Sequence, residues 1–299
     1  MNTTVMQATD RPAAGLLRTV LGVFKMRIGV LIMITALGGM AVATGPGLSL
    51  AQLLVLALSV LVASASAGAF NQYIEADSDR LMVRTRRRAF ASGALKATPL
   101  WLLVIGALLF SAVGGAAVVL NATSALFIFL GAFFYAVVYT MWLKRRSWLN
   151  IVIGGLSGSF AVLAGAAAVD PTLGALPLLL ALVLFLWTPP HFWSLAIANH
   201  ADYAAAGVPM LPVVVGPERA ARIVYANTML LVAVSLLPLF YGAGWIYGLG
   251  ALAGGAHFVR KARALARAPG RGTAMASFFA SMVQLSVLLA AVAVDAALR

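Results

Sequence analysis

Residues 28–74 read IGVLIMITALGGMAVATGPGLSLAQLLVLALSVLVASASAGAFNQYI and contain no Asp, Glu, Lys or Arg. A helix that crosses the hydrocarbon of a bilayer needs about 20 apolar residues. The run is therefore long enough for two spans, with Gly45-Pro46-Gly47 between them as the break. Similar charge-free runs follow at 97–143, 147–169, 171–201, 223–259 and 272–294. Two of these hold a pair each, split near Asn121-Ala122-Thr123 and near Gly242-Ala243-Gly244-Trp245. The other three hold one each, so the expectation is nine transmembrane helices in an all-α membrane protein. The composition agrees: 63% of the 299 residues are hydrophobic and only 10% are charged, against roughly 25% in an average soluble domain. Disorder is excluded by the same figures. The absence of cysteine excludes disulfides, thiolate metal sites and a Cys nucleophile.

Nine spans place alternate loops on alternate sides. One side then collects Arg11, Arg18, Lys25 and Arg27, and the 75–98 loop with Arg80, Arg84, Arg86, Arg87, Arg88 and Lys96. It also collects Lys144–Arg146, Arg219, Arg222 and the basic residues from Arg260 to Arg271, leaving only Arg299 opposite. This asymmetry assigns the basic side, and the N-terminus, to the cytoplasm and the C-terminus to the other side. It also accounts for most of the net charge of +13 with no nucleic acid as partner. Residues 1–18 show no short apolar stretch ending in a cleavage site. The expected organisation is a cytoplasmic segment at 1–26 and a single polytopic domain at 27–298.

The first long run ends in Asn71-Gln72-Tyr73-Ile74-Glu75-Ala76-Asp77-Ser78-Asp79, which holds three of only eight acidic residues. Asn71, Glu75 and Asp79 are spaced i, i+4, i+8 and share one helix face, a polar stripe about 12 Å long. Asp77 points the other way. Two carboxylates and an amide suit Mg²⁺, which is held by one or two carboxylates plus substrate phosphates. The alternative is a solvated helix end whose acids pair with nearby arginines. Like charges one turn apart repel, which favours a cation. The arginines that follow, Arg80 to Arg88, can serve as topogenic charge and lipid contacts or make bidentate bonds to a phosphate held by the metal. From the next basic loop, Lys144 and Arg145 can reach the same anion.

A second constellation closes the sixth span, from Leu186-Trp187-Thr188-Pro189-Pro190-His191 to Asn199, Asp202 and Tyr203. The two prolines are expected to kink or break the helix. His191 beside them is an intramembrane ionisable group and so a functional candidate, with hydrogen-bonded packing as the alternative. Asp202 sits at the same boundary depth as Asp79. Asn71 followed by Glu75 and Asn199 followed by Asp202 are loosely alike, a weak sign of internal repetition. No Gly-rich phosphate loop, nucleophile elbow or His-Glu-x-x-His zinc motif is present.

These blocks resemble the UbiA superfamily of intramembrane prenyltransferases. The first family motif, Asn-x3-Asp-x3-Asp, falls on Asn71, Glu75 and Asp79, with Met82 and Arg84-Thr85 following as in the family. The Tyr-Thr, Leu-Lys-Arg and Asn-Ile-Val-Ile-Gly-Gly blocks match Tyr139 to Gly155. The Leu-Trp, Pro-His-Phe, Asp-Tyr and Met-Leu-Pro blocks match Leu186 to Pro212. Two departures stand out: Glu75 replaces the usual Asp, and Ala198 stands where a second acid often precedes Asp202. The resemblance implies a UbiA-like helix bundle with a central cavity opening laterally to lipid. Among UbiA proteins, it is to those that move a farnesyl group from farnesyl diphosphate to a vinyl group of haem b, giving haem O. It implies Mg²⁺ held by Asn71, Glu75, Asp79 and Asp202 as the catalytic set. Diphosphate would be neutralised by Arg84, Arg88, Lys144 and Arg145, and haem contacted by His191. It also implies a multi-pass protein of the cell inner membrane, in contact with membrane lipid, with a downstream haem-modifying or oxidase-assembly protein as a further partner. Prenylation of an aromatic acid or quinone precursor is a second reading, and solute transport a third. The clustering of carboxylates at helix ends rather than at the midplane argues against transport.

Overall fold

The computed structural model describes residues 12–298, and no strand forms among them. Arg11, Arg299 and most of the expected 1–26 segment's polar start lie outside the described residues. The helices are α1 (Pro12–Val23), α2 (Met26–Val42), α3 (Leu50–Ile74), the short α4 (Ala76–Arg80), α5 (Leu100–Val119) and α6 (Ala122–Phe133). From α6 the chain continues without a break as a π-helix, Phe134–Leu143. Then come α7 (Asn150–Gly154), α8 (Leu156–Val169), α9 (Ala175–Ala198), α10 (His200–Ala205), α11 (Leu211–Val215) and α12 (Pro217–Val234). A 3₁₀ turn (Leu237–Tyr241), α13 (Trp245–Arg267) and α14 (Arg271–Ala297) complete the chain.

The breaks fall where the sequence placed them, and each has a local cause. After Gly45-Pro46-Gly47, Ser49 opens α3 with a capping box: Gln52 N–H donates to Ser49 Oγ at 3.3 Å, and Ser49 N–H donates to Gln52 Oε1 at 3.0 Å. Asn121 caps α6 by accepting from Ser124 N–H at 2.8 Å. The start of α13 is capped from another helix, for Asp295 of α14 accepts from Gly244 N–H at 2.9 Å and Tyr247 N–H at 3.3 Å. A carboxylate there satisfies exposed donors and meets the positive end of the helix dipole.

Among the described residues, seven helices are long and apolar enough to cross a bilayer, and eight if α1 from Leu17 and α2, bent by 48° at Phe24-Lys25, count as one. The expected ninth, α13, is not among them. Its glycine-rich run ends in His257, Arg260, Lys261, Arg263 and Arg267, which dilute its hydropathy. The break expected at Pro189-Pro190 does not occur: α9 runs unbroken through both prolines. Proline at 190 removes the N–H that would serve the carbonyl of Leu186, and Asn227 Nδ2 of α12 donates to that carbonyl instead, at 3.5 Å. A membrane helix tolerates proline where a neighbour re-satisfies the freed backbone.

Large apolar side chains face outward, among them Phe110, Val118, Phe240 and Leu103, while the helix contacts are built from small residues. Serine hydroxyls cross them: Ser66 donates to Ile105 O, Ser124 to Ala164 O and Ser159 to Ala181 O, each at 2.8 Å. This is the packing expected where lipid is as apolar as leucine and close van der Waals fit must hold helices together. At the tightest point, between α2 and α8, a Cβ on Gly165 would lie 1.8 Å from Ala36 O. One core joins α2, α3, α5, α6 and α8, and another joins α9, α12, α13 and α14. The ends of α3, the π-helix and α9 meet beside α4 and α10.

Candidate active site

Asn71, Glu75 and Asp79 keep a shared face across the end of α3, because Glu75 N–H donates to Asn71 O at 3.0 Å and Asp79 N–H to Glu75 O at 2.8 Å. Their relative exposures are 2%, 2% and 3%, so the stripe is turned into the protein and is not a solvated helix end. Asp77, two residues away, is exposed and pairs with Arg80 at 3.1 Å.

Within the cluster every oxygen is engaged. Arg88 Nη1 holds both oxygens of Asp79, at 3.0 and 2.8 Å. Lys144 forms an ion pair with Glu75 Oε1. Glu75 Oε2 accepts from Asn71 Nδ2 at 2.9 Å, which also lies 3.0 Å from Thr140 Oγ1. Asn71 Oδ1 accepts from Lys25 Nζ at 2.5 Å, and Lys25 donates as well to the Tyr135 hydroxyl at 3.0 Å. Buried carboxylates are retained only when paired and hydrogen-bonded, and both conditions are met here.

Two of these partners escaped the sequence reading. Lys25 was grouped with the topogenic charges, yet it sits at the α1–α2 bend in a left-handed conformation, φ 49° and ψ 42°. Tyr135 was not singled out at all. Its place depends on the π-helix, where i→i+5 bonds give about 4.4 residues per turn. Over the nine residues from Tyr135 to Lys144 that winding brings the chain round about two turns, back to the same face. An α-helix at 3.6 per turn would make two and a half turns and oppose them. Lys144 N–H accordingly donates to Tyr139 O at 2.9 Å, five residues back. π-Helices are rare, and the short π-bulges within α-helices recur at functional sites.

Among the described residues, no three His, Cys, Asp or Glu side chains gather as a metal cluster. Asp202 stands apart from Glu75 and Asp79: it is half-buried on α10 and accepts from the backbone N–H of Arg84 at 3.4 Å. That contact joins the 81–92 loop to α10. Arg84 and Arg145 are exposed, whereas Lys144 and Arg88 are the two basic candidates that reach into the cluster. Two carboxylates and an amide on one face fit the needs of Mg²⁺, which completes its shell with water and phosphate oxygens. A cleft of about 350 Å³ between α3, α5 and α6, lined by Phe70, Leu102, Ile105 and Phe129, is almost wholly apolar, and no side chain of the cluster lines it.

His191 lies seven residues before the end of α9, about 10 Å along its axis, and is not part of the cluster. Its ring is stacked between Trp187 and Phe278, with centroids 4.2 and 4.5 Å away. Nδ1 is 2.7 Å from Ser281 Oγ, and that hydroxyl donates to Phe278 O at 2.6 Å. If Ser281 gives its single proton to Phe278 O, Nδ1 carries the hydrogen and Nε2 keeps its lone pair in the neutral ring.

The sequence profile of the UbiA prenyltransferase family matches residues 32–283. Protoheme IX farnesyltransferase 2 of Paramagnetospirillum magneticum is 56% identical over 279 residues, spanning 93% of this chain and 97% of that protein. Protoheme IX farnesyltransferase of Gloeobacter violaceus is 42% identical, over 91% and 89%. In fold, a structure concerning digeranylgeranylglyceryl phosphate synthase superposes with a TM-score of 0.77 at 19% identity, over 94% of this chain and 98% of that one. A UbiA homolog from Archaeoglobus fulgidus bound to GPP and Mg²⁺ gives 0.69 at 15%, over 90% and 99%. The acidic face on α3, the helix bundle and the match across most of the length agree, and the chain belongs to the UbiA prenyltransferase family of multi-pass membrane proteins.

Proposed function

We propose that this protein transfers the farnesyl group of farnesyl diphosphate to a vinyl group of haem b, giving haem O and diphosphate. The observation that carries the reading is the buried pairing of Glu75 and Asp79 with Lys144 and Arg88, in a chain 56% identical to a protoheme IX farnesyltransferase. Mg²⁺, when bound, would supply charge stabilisation for the departing diphosphate. Asn71, Glu75 and Asp79 would hold it, and Asp202 would join them only by leaving the Arg84 N–H. Arg88 and Lys144, with Arg84 and Arg145 at the rim, would neutralise the leaving group as the allylic C–O bond breaks, because fixed charges in a partly dry site need no reorganisation. The surrounding apolar wall shields the farnesyl cation from early capture by water. The vinyl carbon then bonds to C1 of the farnesyl group, and water adds to the resulting benzylic-type cation and loses a proton, leaving a hydroxyethylfarnesyl substituent.

We place residues 27–298 in one polytopic domain of the inner membrane, with 1–26 and the basic loops in the cytoplasm. Nine spans then include α13. A downstream haem-modifying or oxidase-assembly protein would take up the product, which is too apolar to leave the bilayer freely.

Purified protein incubated with haem b, farnesyl diphosphate and Mg²⁺ is expected to yield haem O by mass spectrometry. Product from 4-hydroxybenzoate or a quinone precursor instead would sink the reading. For the haem half of the reaction, His191, through Nε2, is the proposed contact. His191→Ala is expected to raise KM for haem about tenfold and to abolish the histidine-ligated Soret band of added haem b. An unchanged spectrum would remove His191 from that role.

A further inference from the structure

The cluster sets one basic side chain against each of Asn71, Glu75 and Asp79. Lys25 engages Asn71 Oδ1, Lys144 engages Glu75 Oε1, and Arg88 engages both oxygens of Asp79. These are the lone pairs a divalent cation needs. The three basic residues come from separate elements: the α1–α2 bend, the end of the π-helix and the loop after α4. Two of them reach the cluster only through uncommon backbone, the left-handed Lys25 and the π winding before Lys144. An arrangement held by three elements and two unusual conformations is a built feature of the site.

We infer that Lys144 and Arg88, with Lys25, compete with the metal for its own ligands, and that their release couples metal binding to diphosphate binding. The inference rests on the proposed metal site and says how it is regulated. The charges of Lys144 and Arg88 balance those of Glu75 and Asp79, so a lone divalent cation must break two ion pairs to enter and strands two cations beside itself. Diphosphate reverses this. Its oxygens accept the freed Lys144 and Arg88 donors as bidentate and charge-assisted bonds, while the metal takes the carboxylates. Each ligand clears the other's place, and by linkage the effect is reciprocal. The side chains of Lys144 and Arg88 are 14% and 24% exposed against 3% and 4% for their acids, so the basic partners stand at the mouth, where they can turn to an arriving anion.

The test is Mn²⁺ binding, read by electron paramagnetic resonance on the full-length protein in nanodiscs, with and without inorganic diphosphate, whose own chelation of Mn²⁺ is subtracted. Wild type is expected to bind Mn²⁺ weakly alone and 5- to 150-fold more tightly with diphosphate, the usual range of such coupling. Lys144→Gln is expected to bind Mn²⁺ alone about tenfold more tightly than wild type and to lose most of the diphosphate effect. Lys25→Gln, on a different element, moves the same way by a smaller factor. Lysine variants that bind Mn²⁺ alone no better than wild type overturn the inference. Asp79→Asn separates the two levels. If it loses Mn²⁺ while the lysine variants gain nothing, the metal site stands and the coupling falls. If it binds Mn²⁺ as wild type does, the metal site itself falls.

Discussion

Asp79→Asn is expected to lower haem O formation by about 10²- to 10³-fold, the loss seen when one preorganised charge-stabilising group is removed from an active site, about 3–4 kcal/mol. The substitution keeps the shape and removes the charge. Asp79 is 3% exposed and binds Arg88 through both oxygens. An amide presents one acceptor oxygen and turns an NH₂ group toward the guanidinium, so Arg88 loses half its seat as well. Two functions fail together: the metal loses a carboxylate, and the guanidinium that meets diphosphate loses its orientation. Asp77→Asn is the control. Its side chain is 91% exposed and pairs only with the exposed Arg80, a surface ion pair worth little, and its rate is expected to stay within about twofold of wild type. Rates at saturating haem b and farnesyl diphosphate, followed by liquid chromatography and mass spectrometry across a Mg²⁺ titration, decide the matter. An Asp79→Asn enzyme running near the wild-type rate at ordinary Mg²⁺ would refute the role of this carboxylate.

That stripe was legible in the sequence because α-helical spacing alone puts Asn71, Glu75 and Asp79 together, and the backbone bonds across Glu75 preserve that spacing. The span boundaries were legible for a similar reason. Charge-free runs and Gly-Pro-Gly, Asn or Gly-rich breaks are local signals, and they fall between α2 and α3, α5 and α6, and the 3₁₀ turn and α13. What escaped is non-local. Pro189-Pro190 reads as a break in any window of α9, and the side chain that meets the freed Leu186 carbonyl, Asn227, lies 41 residues away on α12. Tyr135 escapes a search at 3.6-residue periodicity because its neighbours on the site face are set by π winding. Lys25 is indistinguishable in sequence from the arginines around it; only the bend at Phe24-Lys25 turns it toward Asn71. Asp202 lies four residues beyond the end of α9, which its place in the sequence already suggests. Its partner is a backbone N–H in the 81–92 loop, which spacing within one helix cannot supply.

The other large effect is expected far from the chemistry, at the crossing of α2 and α8. A Cβ on Gly165 would lie 1.8 Å from Ala36 O and 3.0 Å from Met40 N, and one on Gly39 would lie 2.0 Å from Val162 O. Each obstacle is backbone, so no rotamer change relieves it and the two helices must move apart. Overpacking where side chains can yield costs about 1–3 kcal/mol and occasionally more; with backbone on both sides, Gly165→Ala is expected at or beyond about 3 kcal/mol. At roughly 2–4 °C per kcal/mol for chains somewhat smaller than this one, the thermal midpoint falls by about 6–12 °C. The damage reaches the site, because α2 begins immediately after Lys25 and α8 follows from the π-helix through α7. Separating them draws Lys25 from Asn71 and Lys144 from Glu75. Gly158 supplies the comparison within α8, since nothing lies within 4 Å of a Cβ there, and Gly158→Ala is expected to leave the midpoint unchanged or raise it slightly through reduced backbone freedom. Heating the two purified variants and following the fraction that still elutes as folded protein separates them. Equal midpoints for Gly165→Ala and wild type would mean that α2 and α8 do not cross at this distance, and the placement of Lys25 over Asn71 would fall with it.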